Sequence, residues 1–151
     1  MSNCIFLASD YPLPEVTSSQ EYPFEVNVDN GTIEDGGADD NFFLYRLEVI
    51  PNCTSKQYAV CLEWDYTAGR AEQIVKYIKD ILKKTESIEL WHIWLMDYYE
   101  HEDSPVIRKK AMRMEEMTIE TIRELDSAKI WNFPDKYIPS RPSFYCFTIK
   151  K

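Results

Sequence analysis

The chain has 151 residues, with 17 basic and 26 acidic side chains, and therefore a formal charge of −9. A hydrophobic content of 44% excludes a disordered chain, and the length is typical of one domain that folds without disulfides or metals. No apolar run approaches the length of a membrane span, and the first residues lack the basic flank of a signal peptide. We therefore expect a soluble cytoplasmic domain.

The first half of the chain predicts short strands joined by polar turns. Residues 4–8 form an apolar strand, and residues 22–28 alternate in polarity before Asn30-Gly31, which favours a two-residue type I′ hairpin turn. Residues 42–50 predict a half-buried strand, and residues 58–64 predict its antiparallel partner. The inner face of the first of these two strands would carry Phe43, Tyr45, Leu47 and Val49.

The second half adds the centre of the sheet and two helices. Thr67 is a good N-cap for a helix that runs to about residue 84, with apolar residues at helical spacing. Residues 88–95 are apolar on both faces, as in a central strand, and the strand–helix–strand order predicts that they run parallel to residues 58–64. Three further elements follow, namely a basic strand at 106–114, a short helix capped by Thr118, and a last strand at 144–150.

These elements predict an α+β fold in a single globular domain, residues 1–151. We expect a single mixed, largely antiparallel sheet with one long helix packed on it and a short C-terminal helix. Three of the four cysteines, Cys4, Cys61 and Cys146, fall inside predicted strands. Free thiols at such positions behave as small hydrophobic groups.

The sequence contains no motif of a known catalytic or metal site. The acidic segment 29–40 does not match a calcium-binding loop, because no register combines the required acidic positions with the required glycine. Cys61 and His92 would form a thiolate–imidazolium pair if their strands were neighbours. Both lie inside strands, whereas nucleophiles usually lie at strand ends, and we interpret His92 as a core histidine. We expect no catalytic residue, no metal and no cofactor.

A candidate ligand pocket lies beyond the predicted central strand. Loops that follow the carboxyl ends of central strands are where α/β sheets bind ligands. The residues of this pocket would be His92, Trp94, Asp97, His101 and Asp103. This pocket supports an alternative function, that of a small enzyme or a small-ligand-binding domain.

The distribution of charge supports the main hypothesis about function. Residues 1–65 contain 12 acidic and 2 basic side chains, whereas residues 66–151 contain 14 acidic and 15 basic ones. An acidic surface repels nucleic acid and anionic membranes and attracts a basic partner. The acidic loop would contribute Glu34, Asp35, Asp39 and Asp40. We therefore expect a non-enzymatic binding protein for a basic protein, of the immunity-protein or antitoxin kind, with its oligomeric state left open. The simpler alternative is that the charge only keeps the protein soluble.

Two segments carry a resemblance to other proteins. The first is Cys4-Ile-Phe-Leu-Ala-Ser-Asp-Tyr-Pro-Leu-Pro-Glu-Val, and the second is Ile88-Glu-Leu-Trp-His-Ile-Trp-Leu. They resemble small hypothetical proteins of Gram-positive bacteria, and the resemblance spans most of the chain. It implies a single bacterial cytosolic domain and assigns no residue a role.

Overall fold

The computed structural model describes residues 3–18, 25–29, 32–34, 38–94, 107–126 and 144–151. The strands in these ranges are β1 (Asn3–Ser9), β2 (Glu25–Asn27), β3 (Thr32–Glu34), β4 (Phe43–Arg46), β5 (Tyr58–Glu63), β6 (Ser87–Trp94), β7 (Ile107–Arg113) and β8 (Phe144–Lys150). The helices are α1 (Ala68–Ile81), a 3₁₀ turn (Met114–Glu116) and α2 (Ile119–Asp126).

Six of the strands form one mixed sheet in the order β4-β5-β1-β6-β8-β7. Neighbouring strands are antiparallel, except for β7 and β8, which run parallel. β2 and β3 form a separate two-stranded antiparallel hairpin. The α+β fold is thus confirmed, and β6 lies inside the sheet between β1 and β8, as its two apolar faces predicted.

β1 separates the two strands that were expected to flank the helical crossover. β5 and β6 are both antiparallel to β1, so they run in the same direction, as predicted. They are not neighbours, because Phe6 of β1 pairs with Cys61 on one side and with Trp91 on the other. A whole strand therefore lies between Cys61 and His92, and the catalytic pair considered for these two residues is wrong.

α1 begins at the predicted N-cap, where the Thr67 side chain accepts a hydrogen bond from the backbone nitrogen of Arg70 at 3.1 Å. The helix is 14 residues long and ends earlier than predicted. It packs with α2 on one face of the sheet, which we call the helix face. Buried residues on the helix face include Leu7, Leu44, Val60, Leu62, Ile88, Leu90, Tyr145, Phe147 and Ile149. None of the helices in the described ranges is long and apolar enough to cross a membrane.

The opposite face of the sheet, here called the second face, has its own apolar cluster. The cluster contains Phe6, Ala8, Ala59, Trp91, Ile93, Phe144 and Cys146. Phe6 and Trp91 are stacked, with ring centroids 5.9 Å apart and an interplanar angle of 7°. The strand register places one residue from each strand in a row across this face: Tyr45, Cys61, Phe6, Trp91, Cys146 and Lys109. We call this set the cross-sheet row.

β4 is shorter than the predicted strand, and its buried residue, Leu44, lies on the face opposite to the predicted one. Leu44 is buried, whereas Tyr45 is 38% exposed and Val49 is 83% exposed. The predicted inner face of this strand is therefore wrong. The pairing with β5 explains the difference, because it sets Leu44 opposite Leu62, a core residue of the helix face.

The hairpin of β2 and β3 exists, but its register differs from the prediction. Asn27 pairs with Thr32. A two-residue turn at Asn30-Gly31 would instead pair Asp29 with Thr32. The predicted turn residues, Asn30 and Gly31, lie outside the described residues.

Candidate functional site

The four residues of the predicted acidic loop lie in different surroundings. Glu34 is the last residue of β3, and Asp35 lies outside the described residues. Asp39 and Asp40 form an exposed turn shortly before β4. The Asp39 carboxylate lies against the first turn of α1, since a Cβ atom added at Gly69 would overlap it. A carboxylate at a helix N-terminus is stabilised by the helix dipole, so Asp39 also contributes to the fold.

A buried arginine fixes the acidic turn to the helix. Arg70 is fully buried in the first turn of α1. Its Nε donates a hydrogen bond to the carbonyl oxygen of Ala38 at 2.9 Å, and its Nη1 donates to the carbonyl oxygen of Asp65 at 2.8 Å. The backbone of the acidic turn is thus held in place. Sequence reasoning missed Arg70, because a charged residue at a helix start is usually solvated.

A surface cleft of about 790 Å³ opens at the other end of β4. Its apolar lining is formed by Pro12, Leu13, Leu47, Ile50, Tyr58 and Ala59. Leu13 and Ala59 are buried, whereas the charged lining residues Glu15, Arg46 and Glu48 are exposed. The cleft thus combines a buried apolar surface with exposed charges, and acidic groups are the majority of these charges.

One wall of the cleft belongs to a segment that crosses the second face, residues 47–57, which we call the strap. Leu47, Ile50 and Cys53 of the strap pack against the apolar cluster of that face. The Lys56 Nζ atom lies 3.1 Å from Asp10 Oδ2 and donates a hydrogen bond to Ser87 Oγ at 3.0 Å. These contacts fix the strap to the ends of β1 and β6.

A buried carboxylate also holds the strap. Glu89 of β6 is only 6% exposed. Its Oε1 atom accepts hydrogen bonds from the Thr54 hydroxyl and from Trp91 Nε1, the latter at 3.2 Å. A buried carboxylate without such donors would destabilise the fold, so Glu89 selects the position of the strap. Its burial within an otherwise apolar strand is not visible in the sequence.

His92 is fully buried on β6. Its Nδ1 atom lies 2.7 Å from the carbonyl oxygen of Leu125 in the last turn of α2. Burial lowers the pKa of His92, so the ring is neutral near pH 7 and Nδ1–H donates to that oxygen. Trp94 is the last residue of β6, and Asp97, His101 and Asp103 lie outside the described residues. The pocket beyond β6 therefore stays a prediction.

All four cysteines are free thiols. The sulfur atoms of Cys4 and Cys61 lie 3.6 Å apart, on adjacent strands of the second face. The hydrogen bond between them raises the pKa of Cys4 and lowers that of Cys61. Burial raises the pKa of Cys53 to about 11 and that of Cys146 to about 12. Cys61 is thus the cysteine with the most accessible thiolate form.

Basic side chains gather at the opposite edge of the sheet. The exposed residues of β7 include Arg108, Lys109, Lys110 and Arg113. Arg113 also lines a cleft of about 450 Å³ together with Lys150 and Lys151. The uneven charge of the sequence thus becomes a division across the sheet, with acidic groups on the β4 side and basic groups on the β7 side.

No known protein family, curated protein or solved structure matches the chain at a significant level. Its own residues are therefore the basis of any functional assignment. Within the described ranges, no group of three or more His, Cys, Asp or Glu side chains is placed to hold a metal ion.

Proposed function

We propose that the chain is a cytoplasmic, non-enzymatic binding protein whose β4 side binds a basic segment of a protein partner. The observation that carries the proposal is the cleft beside β4, with its buried apolar lining and its exposed carboxylates at Glu15 and Glu48. Tyr11 and Val49, which adjoin lining residues in the chain, are 38% and 83% exposed. Exposed apolar side chains next to a cleft are typical of a surface that a partner covers.

The lining suits a lysine or arginine side chain of the partner. The apolar stem of such a side chain packs on Leu13 and Leu47, while its charged end reaches the carboxylates. Glu15 and Glu48 outnumber Arg46 at this cleft, so the local charge favours a cation. The Glu15 carboxylate also accepts a hydrogen bond from the backbone nitrogen of Arg46 at 3.4 Å, which orients it at the rim.

One partner can contact both the cleft and the acidic turn. Arg46 is the last residue of β4, and Asp40 lies three residues before its first residue. The two residues are therefore at most about 20 Å apart, the length of six steps of extended chain. A standard interface covers about 800 Å² on each protein, which is wide enough for both sites. The acidic turn is rigid because Arg70 holds its backbone, and a rigid site loses less entropy on binding.

An immunity protein or antitoxin is the concrete form of this proposal. Such a protein neutralises a cationic toxin by covering its basic surface, and it needs no catalytic group. The net charge of −9 supports this role, since opposite charge accelerates the encounter of two proteins. A neighbouring gene that encodes a basic protein would identify the partner to test first.

The test compares three variants as baits in a native lysate at low salt. The cleft variant is E15Q/E48Q. The turn variant, E34Q/D35N/D40N, neutralises the predicted acidic loop except for Asp39, and the control variant R108Q/K110Q changes the basic edge. We expect the cleft and turn variants to slow association with captured basic proteins about tenfold or more. The control should bind as the wild type does, and thermal melts should be unchanged, because exposed charges contribute little to stability. Loss of binding in the control alone would contradict the proposal.

A further inference from the structure

Cys4 and Cys61 form a thiol pair across two strands. The pairing of β1 with β5 sets Phe6 opposite Cys61. Cys4 lies two residues before Phe6, so its side chain is on the same face and diagonal to Cys61. The two sulfur atoms are 3.6 Å apart, and both side chains are half-buried.

We propose that Cys4 and Cys61 are a peroxide-sensitive dithiol site that closes to a reversible disulfide. The site lies between β1 and β5, and neither cysteine lines the partner-binding cleft. It therefore goes beyond the proposed function and does not depend on it. The oxidant is a hydroperoxide, with hydrogen peroxide as the simplest member of that class.

The contact between the sulfurs assigns the two roles. The hydrogen bond between the two sulfurs lowers the pKa of Cys61 and raises the pKa of Cys4, and burial raises the pKa of Cys4 further. Cys61 is therefore the nucleophile, because the thiolate is the reactive form. Cys4 remains a thiol within reach and acts as the resolving group.

The chemistry proceeds in two steps. The Cys61 thiolate attacks one oxygen of hydrogen peroxide, the O–O bond breaks, and the hydroxide that leaves takes up a proton to form water. Cys61 is then a sulfenic acid. The Cys4 sulfur attacks the Cys61 sulfur, so that the S–S bond forms while the S–O bond breaks, and the departing hydroxyl leaves as water with the Cys4 proton. Two thiols are oxidised to one disulfide, and one peroxide is reduced to two waters.

Closure of the pair requires a small movement of the strands. The sulfur atoms must approach from 3.6 Å to a bond length of about 2.05 Å. Diagonal residues of an antiparallel pair have Cα atoms about 7–8 Å apart, which is beyond the about 6.8 Å that a disulfide usually spans. The bridge therefore pulls β1 and β5 together, and strained bridges are the ones that thiols reduce readily. Half-buried sulfurs admit a molecule as small as peroxide.

The experiment treats the reduced, folded protein with increasing hydrogen peroxide and then blocks the remaining thiols with N-ethylmaleimide. We expect the intact mass to show loss of two hydrogen atoms, with two of the four cysteines no longer alkylated. Peptide mapping without reductant should recover a Cys4–Cys61 link. Dithiothreitol should restore four alkylated cysteines.

Single variants separate this site from the other thiols. C53S should oxidise as the wild type does, whereas C4S should form no link and should accumulate a Cys61 sulfenic acid that dimedone traps. C61S should form neither the sulfenic acid nor the disulfide, so peroxide should consume its thiols at least several-fold more slowly. A link between Cys53 and Cys146, or four alkylated cysteines after peroxide treatment of the wild type, would overturn the proposal. The peptide map of the oxidised wild-type protein tests for the Cys4–Cys61 disulfide even if a variant does not fold.

Discussion

The Nδ1 atom of His92 lies 2.7 Å from the carbonyl oxygen of Leu125, and this contact joins the middle of the sheet to the last turn of α2. The last carbonyl groups of a helix have no partner within the helix. The imidazole supplies a donor for one of them inside the core, where an unsatisfied acceptor would cost free energy. A polar ring among apolar residues thus positions α2 on the helix face.

This contact predicts a pH dependence of stability. Burial lowers the pKa of His92 in the folded protein, whereas the unfolded chain titrates near the ordinary value of about 6.5. As the pH falls below about 6.5, the unfolded state therefore binds the proton first, and the free energy of unfolding decreases until the pH reaches the folded-state pKa. Urea melts at a series of pH values from about 7.5 to 5 should show this decrease, since that range brackets the histidine titration.

The control for the pH prediction is a pair of histidine variants. H92Q should lose most of the decrease between about pH 6.5 and 5, because it removes the group that titrates there. H101Q removes the other histidine of the chain and should retain the decrease. An H92Q protein with the full pH dependence would show that another group is responsible.

Replacement of the buried tryptophan at the centre of the cross-sheet row should be costly. Trp91 is fully buried and stacks on Phe6. W91A should lower the free energy of unfolding by about 3–5 kcal/mol, as truncations of large aromatic side chains do. Tyr45 lies in the same row but at the edge and is 38% exposed, so Y45A should cost only about 1 kcal/mol or less. Equal losses in the two urea melts would contradict the burial of Trp91.

The contact between Asp39 and Gly69 should appear as coupling in a double-mutant cycle. Alanine stabilises a helix by up to about 1 kcal/mol over glycine, but a Cβ at Gly69 overlaps the Asp39 carboxylate. G69A should therefore be neutral or destabilising in the wild type and stabilising in a D39A background. The coupling measured by urea melts should exceed about 0.5 kcal/mol. Additive effects would show that the carboxylate moves aside without cost.

Removal of the hydroxyl that docks the strap should destabilise the protein. T54V deletes one of the two donors to the buried Glu89 carboxylate. We expect a loss of about 1–3 kcal/mol, because hydrogen bonds to a buried charged group are strong. Ser55 is exposed next to it, so S55A should change the melt by no more than about 0.5 kcal/mol. A similar loss in both variants would mean that the strap is not fixed through Glu89.

Local patterns predicted the elements better than the contacts between them. The apolar run of β6 and the N-cap at Thr67 depend on neighbouring residues, and both predictions are confirmed. The prediction of the buried face of β4 was wrong. Both faces of this strand contain apolar residues, and only the pairing with β5 determines which of them is buried.

The residues that build the candidate sites were harder to predict for the same reason. Arg70 and Glu89 are charged, and charged side chains are usually exposed, so their burial depends on hydrogen bonds to Ala38 and Thr54 elsewhere in the chain. The sequence placed Cys4 and Cys61 on strands. It did not pair those strands, because 57 positions separate the two residues. The uneven charge of the two halves of the chain was visible in the sequence, whereas its division between the two edges of the sheet depends on the strand order.

The two edges of the sheet also affect how copies of the protein behave at high concentration. The outer edge of β4 already pairs at Leu44, which exchanges backbone hydrogen bonds of 2.9 and 3.1 Å with Val16. At the other edge, Arg108, Lys109 and Lys110 are exposed, and two copies that met there would place like charges side by side. Natural proteins use such lysine-rich edges to prevent their sheets from joining into fibres. We therefore expect the folded protein to resist aggregation at low salt and to begin stacking only when high salt screens this repulsion.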